Sequence, residues 1–231
     1  MNKAINLGNS YMNVYLLPIP DGYVLLDTGY FFNYKGFIRQ AKKKKIDLNS
    51  IRYLVITHVH ADHVGFAQKL LQETNAKLIL VQEDKERALR GKNVEDVFIS
   101  RRDYWLLSKC SVALSHYTQE FPPVTAESID PLTQPLAEYG MTFSLLHGHT
   151  SNDLCLRIGD DLYCGDICMS GAGAANHSPM WIENNDLLVQ SWEEILASGV
   201  KTIYPAHGKP FTTQTLASCL EKQRGRKVYK L

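Results

Sequence analysis

Apolar residues along this chain fall into short runs that stop at a glycine, a proline or a lone polar residue. Such runs, rich in β-branched and aromatic residues, predict strands near 12–17, 23–27, 53–57, 77–81, 142–147, 153–158, 161–164 and 201–205. Longer stretches of mixed character predict helices near 33–45, 63–74, 184–197 and 212–222. Groups of strands followed by helices occur twice, which marks a mixed α and β chain. No internal repeat or low-complexity linker divides it. A length of 231 residues suits one large domain, 1–231, with a candidate helical cap insertion at about 84–123.

Five of the runs share one grammar, in which a strand ends at a turn carrying a side chain able to hold a metal. Tyr23-Val-Leu-Leu-Asp27-Thr-Gly29 is the first, and Tyr53-Leu-Val-Ile-Thr57 leads directly into His58-Val-His60-Ala-Asp62-His63. Met141–Leu146 precedes His147-Gly-His149-Thr, Asp161–Cys164 precedes Gly165-Asp166, and Lys201–Tyr204 precedes Pro205-Ala-His207-Gly208. Alternate residues of an extended segment share a face, so His58 and His60 can reach one metal together. Asp62 and His63 follow a turn and point elsewhere, as candidates for a second metal. Neutral imidazole offers a lone pair near pH 7, which makes histidine the commonest metal ligand. Open sheets gather strand ends along one edge, where functional loops collect. Asp27 has a simpler reading as well, as the turn-forming aspartate before Gly29.

In order, Leu-Leu-Asp27-Thr-Gly, the His58–His63 cluster, Gly-His149-Thr, Gly-Asp166 and Ala-His207-Gly resemble the five motifs of the metallo-β-lactamase superfamily, a broad family of metal-dependent hydrolases. The likeness runs from residue 27 to residue 208. It implies an α+β fold, the four-layer αββα sandwich, and a single metallo-hydrolase domain. It also implies that His58, His60 and His149 bind one metal, that Asp62, His63 and His207 bind another, and that Asp166 bridges the two. Asp62 and Asp166 are then the expected catalytic carboxylates, with Asp27 orienting ligands from behind. The implied cofactors are two divalent metal ions, zinc first, with iron or manganese as alternatives. Two such ions about 3.5–4 Å apart share a water and lower its pKa towards roughly 7, giving a bridging hydroxide as nucleophile. No serine in a glycine-flanked turn offers the competing Ser-His-Asp chemistry.

Charge and cysteine usage narrow the surroundings. A formal net charge of +1 argues against a nucleic-acid partner, which calls for a strongly basic face. The Lys42–Lys45 run reads as a solvated helix end complementing the helix dipole, and the basic tail around Arg224, Arg226 and Lys227 as a frayed terminus. No run approaches the roughly 18 apolar residues of a membrane span, and the first residues lack the apolar core of a signal peptide. Five cysteines without a dense framework suit a reducing cytoplasm. The expected partner is a small-molecule substrate, with neither nucleic acid nor membrane. Cys164 reads as a core residue, whereas Cys168 sits in a loop that could face the pocket.

Two segments are candidate pocket walls. One holds the aromatics Phe98, Tyr104, Trp105, Tyr117 and Phe121, which either contact substrate or pack a surface subdomain. The other is Gly171–Trp181, where His177 is a candidate proton donor or an ordinary surface histidine. Tyr104, Trp105 and Trp181 suggest an apolar acyl or aryl group beside the metals.

Departures from known branches narrow the substrate. Zinc β-lactamases place a cysteine at Asp166 and in the common form lack His63, which counts against antibiotic hydrolysis. Glyoxalase II enzymes carry a glycine-cysteine-glycine-cation stretch where this chain has Gly171-Ala-Gly-Ala-Ala, and acyl-homoserine lactonases carry a tyrosine at Met169. Nuclease branches append a further domain or arm. Two classes remain: a hydrolase of a small ester, lactone or thioester, and a non-haem iron dioxygenase or other redox enzyme on the same fold. A binding protein without catalysis would have no use for so complete a ligand set.

Overall fold

A computed structural model of the chain describes residues 4–93, 98–100, 120–171 and 174–230. These residues divide into two compact units, one within Met1–Asn93 and Tyr117–Pro135, the other within Val94–His116 and Leu136–Leu231.

The first unit is built on a six-stranded mixed sheet in the order Ile5–Asn6, Tyr15–Ile19, Gly22–Leu26, Ile51–Val55, Lys77–Ile79 and Ser128–Ile129. The first two pairings are antiparallel and the last three parallel. Helix Tyr34–Lys43 makes one parallel crossover, and the helices Ala61–Val64 and Ala67–Glu73 make the next. Strands covered on both faces carry continuous apolar runs, and Val24, Leu25, Leu54, Val55 and Ile79 are accordingly buried. Tyr34, Phe37 and Ala41 recur at helical spacing on the buried face of Tyr34–Lys43 and join a core with Phe66 and Leu70. Burying a side chain such as Phe37 contributes about 2–3 kcal/mol. The helix ends in its exposed lysine run, as the sequence predicts.

One helix expected over 63–74 is two. The break falls at Gly65-Phe66, where a Cβ on Gly65 would lie 2.5 Å from the Gly29 carbonyl oxygen and 2.6 Å from the Phe31 nitrogen. The chain passes too close to the Asp27–Phe31 turn there for a side chain. Of the candidate cap, the described part holds a helix, Lys85–Arg90, and the bridge Lys92–Glu120. Phe121 is buried in this unit's core and serves packing; Tyr104, Trp105 and Tyr117 lie outside the described residues.

The second unit holds a five-stranded mixed sheet in the order Phe211–Thr212, Thr202–Tyr204, Asp161–Tyr163, Asp153–Ile158 and Met141–Leu146. Only Asp161–Tyr163 with Thr202–Tyr204 is parallel. Among the described residues two helices belong to it. Asn185–Ala197 is capped by Asn184, whose side-chain oxygen accepts from the Asp186 and Leu187 nitrogens, and Thr213–Arg224 by Thr212, which accepts from Thr215. Trp192 is fully buried, its indole N–H donating to the Ile167 carbonyl at 2.8 Å. Cys168 lies in the same core with Cys155 and Cys164, and burial pushes its thiol well above the usual range. It is a packing residue and not a pocket residue.

The basic tail is not frayed. Arg224 pairs with Glu193 and Glu221, Arg226 donates to the Ala175 carbonyl at 3.3 Å, and Val228–Lys230 forms a strand against Phe98–Ser100, which also pairs with Trp181–Ile182. Those long-range partners, and not local propensity, order the segment. Among the described residues no helix is long and apolar enough to cross a membrane.

Candidate metal centre

In the first unit, parallel pairing sets the arrangement. Leu26 stands opposite Val55, so the chain leaves both strands at one edge, and the Asp27 nitrogen donates to the Val55 carbonyl at 2.8 Å. Asp27 turns there with φ of 55°, a left-handed conformation that aspartate tolerates better than most residues. Its buried carboxylate accepts from the Thr57 nitrogen at 2.8 Å, the Thr57 hydroxyl at 2.8 Å and His63 Nδ1 at 2.9 Å.

These bonds fix ring tautomers. With the hydroxyl proton of Thr57 on Asp27, its oxygen accepts from His58 Nδ1 at 3.1 Å, which leaves Nε2 as the basic nitrogen of His58. By the same logic His63 donates from Nδ1 to Asp27 and is basic at Nε2. His58 Nε2 and His60 Nδ1 approach to 3.0 Å, the convergence expected of alternate residues on one extended segment. His60 then starts the short helix Ala61–Val64, which places Asp62 Oδ1 3.9 Å from His63 Nε2. His58, His60 and His63 are buried, and Asp62 is partly exposed.

The second unit repeats the device. Tyr163 stands opposite Tyr204 on parallel strands, and the Ala206 nitrogen donates to the Gly165 carbonyl at 2.8 Å, so Asp166 and His207 leave the sheet side by side. Asp166 Oδ2 lies 3.4 Å from His207 Nε2 and 3.9 Å from His149 Nε2. His149 donates from Nδ1 to the Trp181 carbonyl at 2.7 Å, which again directs the basic Nε2 inward. Trp181, expected as an aromatic wall, thus serves His149 through its backbone.

Asp153 is the residue that sequence reasoning missed. Buried behind His149, its carboxylate accepts from the His149 nitrogen at 3.1 Å, the Thr150 nitrogen at 3.0 Å and the Thr150 hydroxyl at 2.8 Å. Burial pushes this carboxyl well above the usual range, against the opposing pull of the Thr150 bonds. The signal was a threonine and an aspartate three apart after the Gly-His pair, a spacing that closes a tight loop. Gly148 completes the loop, with φ of +124° and only 2.3 Å from the Leu188 nitrogen to where a Cβ would sit. His177 lies against Phe211 and Met169. Its ring packs on Phe211 at 3.9 Å, Nδ1 meets the Met169 carbonyl at 3.1 Å, and burial lowers its pKa.

Residues 7–207 match the model of the metallo-β-lactamase superfamily, and the chain belongs to that superfamily. Its mixed sheets and helices are those of the metallo-β-lactamase fold, an α+β sandwich. Among similar solved structures, an archaeal superfamily protein from Sulfolobus tokodaii is 18% identical, with 92% of this chain and 80% of that one covered at a TM-score of 0.60. A metallo-β-lactamase from Cronobacter sakazakii is 18% identical over 96% of this chain and 88% of its own, at 0.62. TTHA1623, solved in a di-iron-bound form, is 17% identical over 94% and 97%, at 0.64. At such identities the likeness is one of fold.

The donor set fits divalent cations. It comprises imidazoles held in defined tautomers and carboxylates aimed at the same nitrogens, the ligand chemistry of zinc and of iron alike. Each unit carries potential metal ligands of this kind, His58, His60, Asp62 and His63 in the first and His149, Asp166 and His207 in the second, in a superfamily of metal-dependent hydrolases.

Proposed function

We propose that this chain is a dinuclear metal-dependent hydrolase of a small ester, lactone or thioester. His58, His60 and His149 would hold one ion, Asp62, His63 and His207 a second, with Asp166 between them. The observation that carries the reading is the convergence of donors within each unit: His58 Nε2 lies 3.0 Å from His60 Nδ1 and Asp62 Oδ1 3.9 Å from His63 Nε2, while Asp166 Oδ2 lies 3.4 Å from His207 Nε2 and 3.9 Å from His149 Nε2. Every residue of the proposed ligand partition carries one of these converging donor atoms.

A pair of divalent ions supplies a nucleophilic water near neutral pH and a polarised carbonyl oxygen. The protein's own residues do the rest. Asp27, through His63, and the Trp181 carbonyl, through His149, keep each imidazole in its ligating tautomer. Thr57 does the same for His58. Asp62, the most exposed of the carboxylates, can receive a proton from the attacking water. The preference for acyl over phosphoryl substrates is an expectation from the sequence, resting on Tyr104 and Trp105, which lie outside the described residues, and on Trp181.

The same donors suit iron, and one protein of similar fold was solved with two irons, so an iron-dependent redox enzyme is the second reading. A panel of aryl esters, lactones, thioesters and phosphodiesters, assayed with zinc, manganese and iron, separates them. Turnover of an acyl substrate supports the proposal. Preference for phosphodiesters overturns the substrate class, and oxygen uptake with iron alone overturns the hydrolase.

A further inference from the structure

Helix Tyr34–Lys43 carries a glycine that packing does not require. A glycine inside a helix costs roughly 0.5–1 kcal/mol relative to alanine, a cost usually offset by close approach of another element. At Gly36 a Cβ would meet nothing within 4 Å. Gly36 is exposed, and it lines a cavity of about 340 Å³ between this helix and the loop joining Ile5–Asn6 to Tyr15–Ile19.

That loop is a preformed wall. Asn6 Oδ1 accepts from the Gly8 and Val14 nitrogens at 2.8 and 3.1 Å, and Asn9 Oδ1 from the Tyr11 and Met12 nitrogens at 2.8 and 3.1 Å. Met12, Phe32 and Phe37 supply apolar surface, and Asn9 and Gln40 supply amides. Arg39 is the only charged residue of the lining. Among the described residues its guanidinium makes no ion pair or side-chain hydrogen bond. The cavity volume lies at the small end of the range for ligand pockets, roughly 300–1,000 Å³.

We propose that this cavity is a binding site for a small aryl monoanion, its ring between Phe32 and Met12 at the space Gly36 leaves and its anionic group on Arg39. Guanidinium pairs well with a planar carboxylate, and one cation among aromatic and amide groups matches one negative charge. None of these residues belongs to the candidate metal centre.

Calorimetric titration with 2-naphthoate tests the proposal on the protein and two variants. Wild type should bind one equivalent, and Arg39→Gln should weaken it about tenfold. Gly36→Leu, which fills the cavity while improving helix propensity, should abolish binding and keep the thermal midpoint at or above wild type. The neutral 2-naphthamide should bind at least tenfold more weakly than 2-naphthoate. Absence of binding to wild type overturns the proposal. So does wild-type affinity in Gly36→Leu, because the probe would then sit elsewhere, the metal centre included.

Discussion

The Asp27 carboxylate lies 2.9 Å from His63 Nδ1, buried, with the Thr57 nitrogen and hydroxyl held at 2.8 Å on the same group. One carboxylate therefore sets the tautomer of His63 directly and that of His58 through Thr57.

Replacing Asp27 by asparagine removes that control while preserving size. With its amide oxygen held by the Thr57 nitrogen, the asparagine N–H would face both His63 Nδ1 and the Thr57 hydroxyl, donor against donor, and favour the tautomer whose lone pair points away from the metal. Asp27→Asn should lower metal affinity at the His63 position about 10–100-fold. Competition with a chromophoric chelator measures this, and unchanged affinity for the second ion would show that the carboxylate serves the turn alone.

Asp153 acts on the loop. Asp153→Ala leaves the His149 and Thr150 nitrogens and the Thr150 hydroxyl without their acceptor in a buried place, at a cost of about 1–3 kcal/mol for each group left unsatisfied. Urea unfolding should show a loss of at least about 2 kcal/mol. Metal affinity should fall too, because His149 is no longer held. A variant with wild-type midpoint and metal content would mean that water replaces the carboxylate.

How much of this was legible in the sequence follows from the range of the interactions. The His58–His60 convergence is a two-residue periodicity and was legible in the sequence. The tie between Asp27 and the His58–His63 segment was legible only through the superfamily resemblance, because it depends on parallel strands ending together. Asp153 was hidden because its role lies in three bonds to backbone and hydroxyl groups, and its type alone suggested only a strand start. The break at Gly65-Phe66 depends on the approach of Gly29. The ordered tail depends on Glu193, thirty-one positions from Arg224. Local pattern carries no information about such partners.

His177 gives a pH prediction. Burial beside Phe211 holds its pKa below 6.5, so the unfolded chain takes up the proton first as pH falls. The group's contribution to stability is complete above pH about 6.5 and is lost as pH falls through the lower folded value. His177→Gln should therefore flatten the fall in stability below about pH 6.5, a modest change because the ring is half-exposed. Parallel slopes for wild type and variant in urea unfolding across that range would show that His177 does not contribute.

Metal stoichiometry tests the dinuclear assignment most directly. Native mass spectrometry of wild type, His207→Ala and Asp166→Ala, each with a turnover assay on the best acyl substrate, reads both occupancy and chemistry. We predict two ions per wild-type chain, one in His207→Ala, and reduced occupancy at both positions with no turnover in Asp166→Ala. Two tightly bound ions and near-normal turnover in Asp166→Ala would contradict the account.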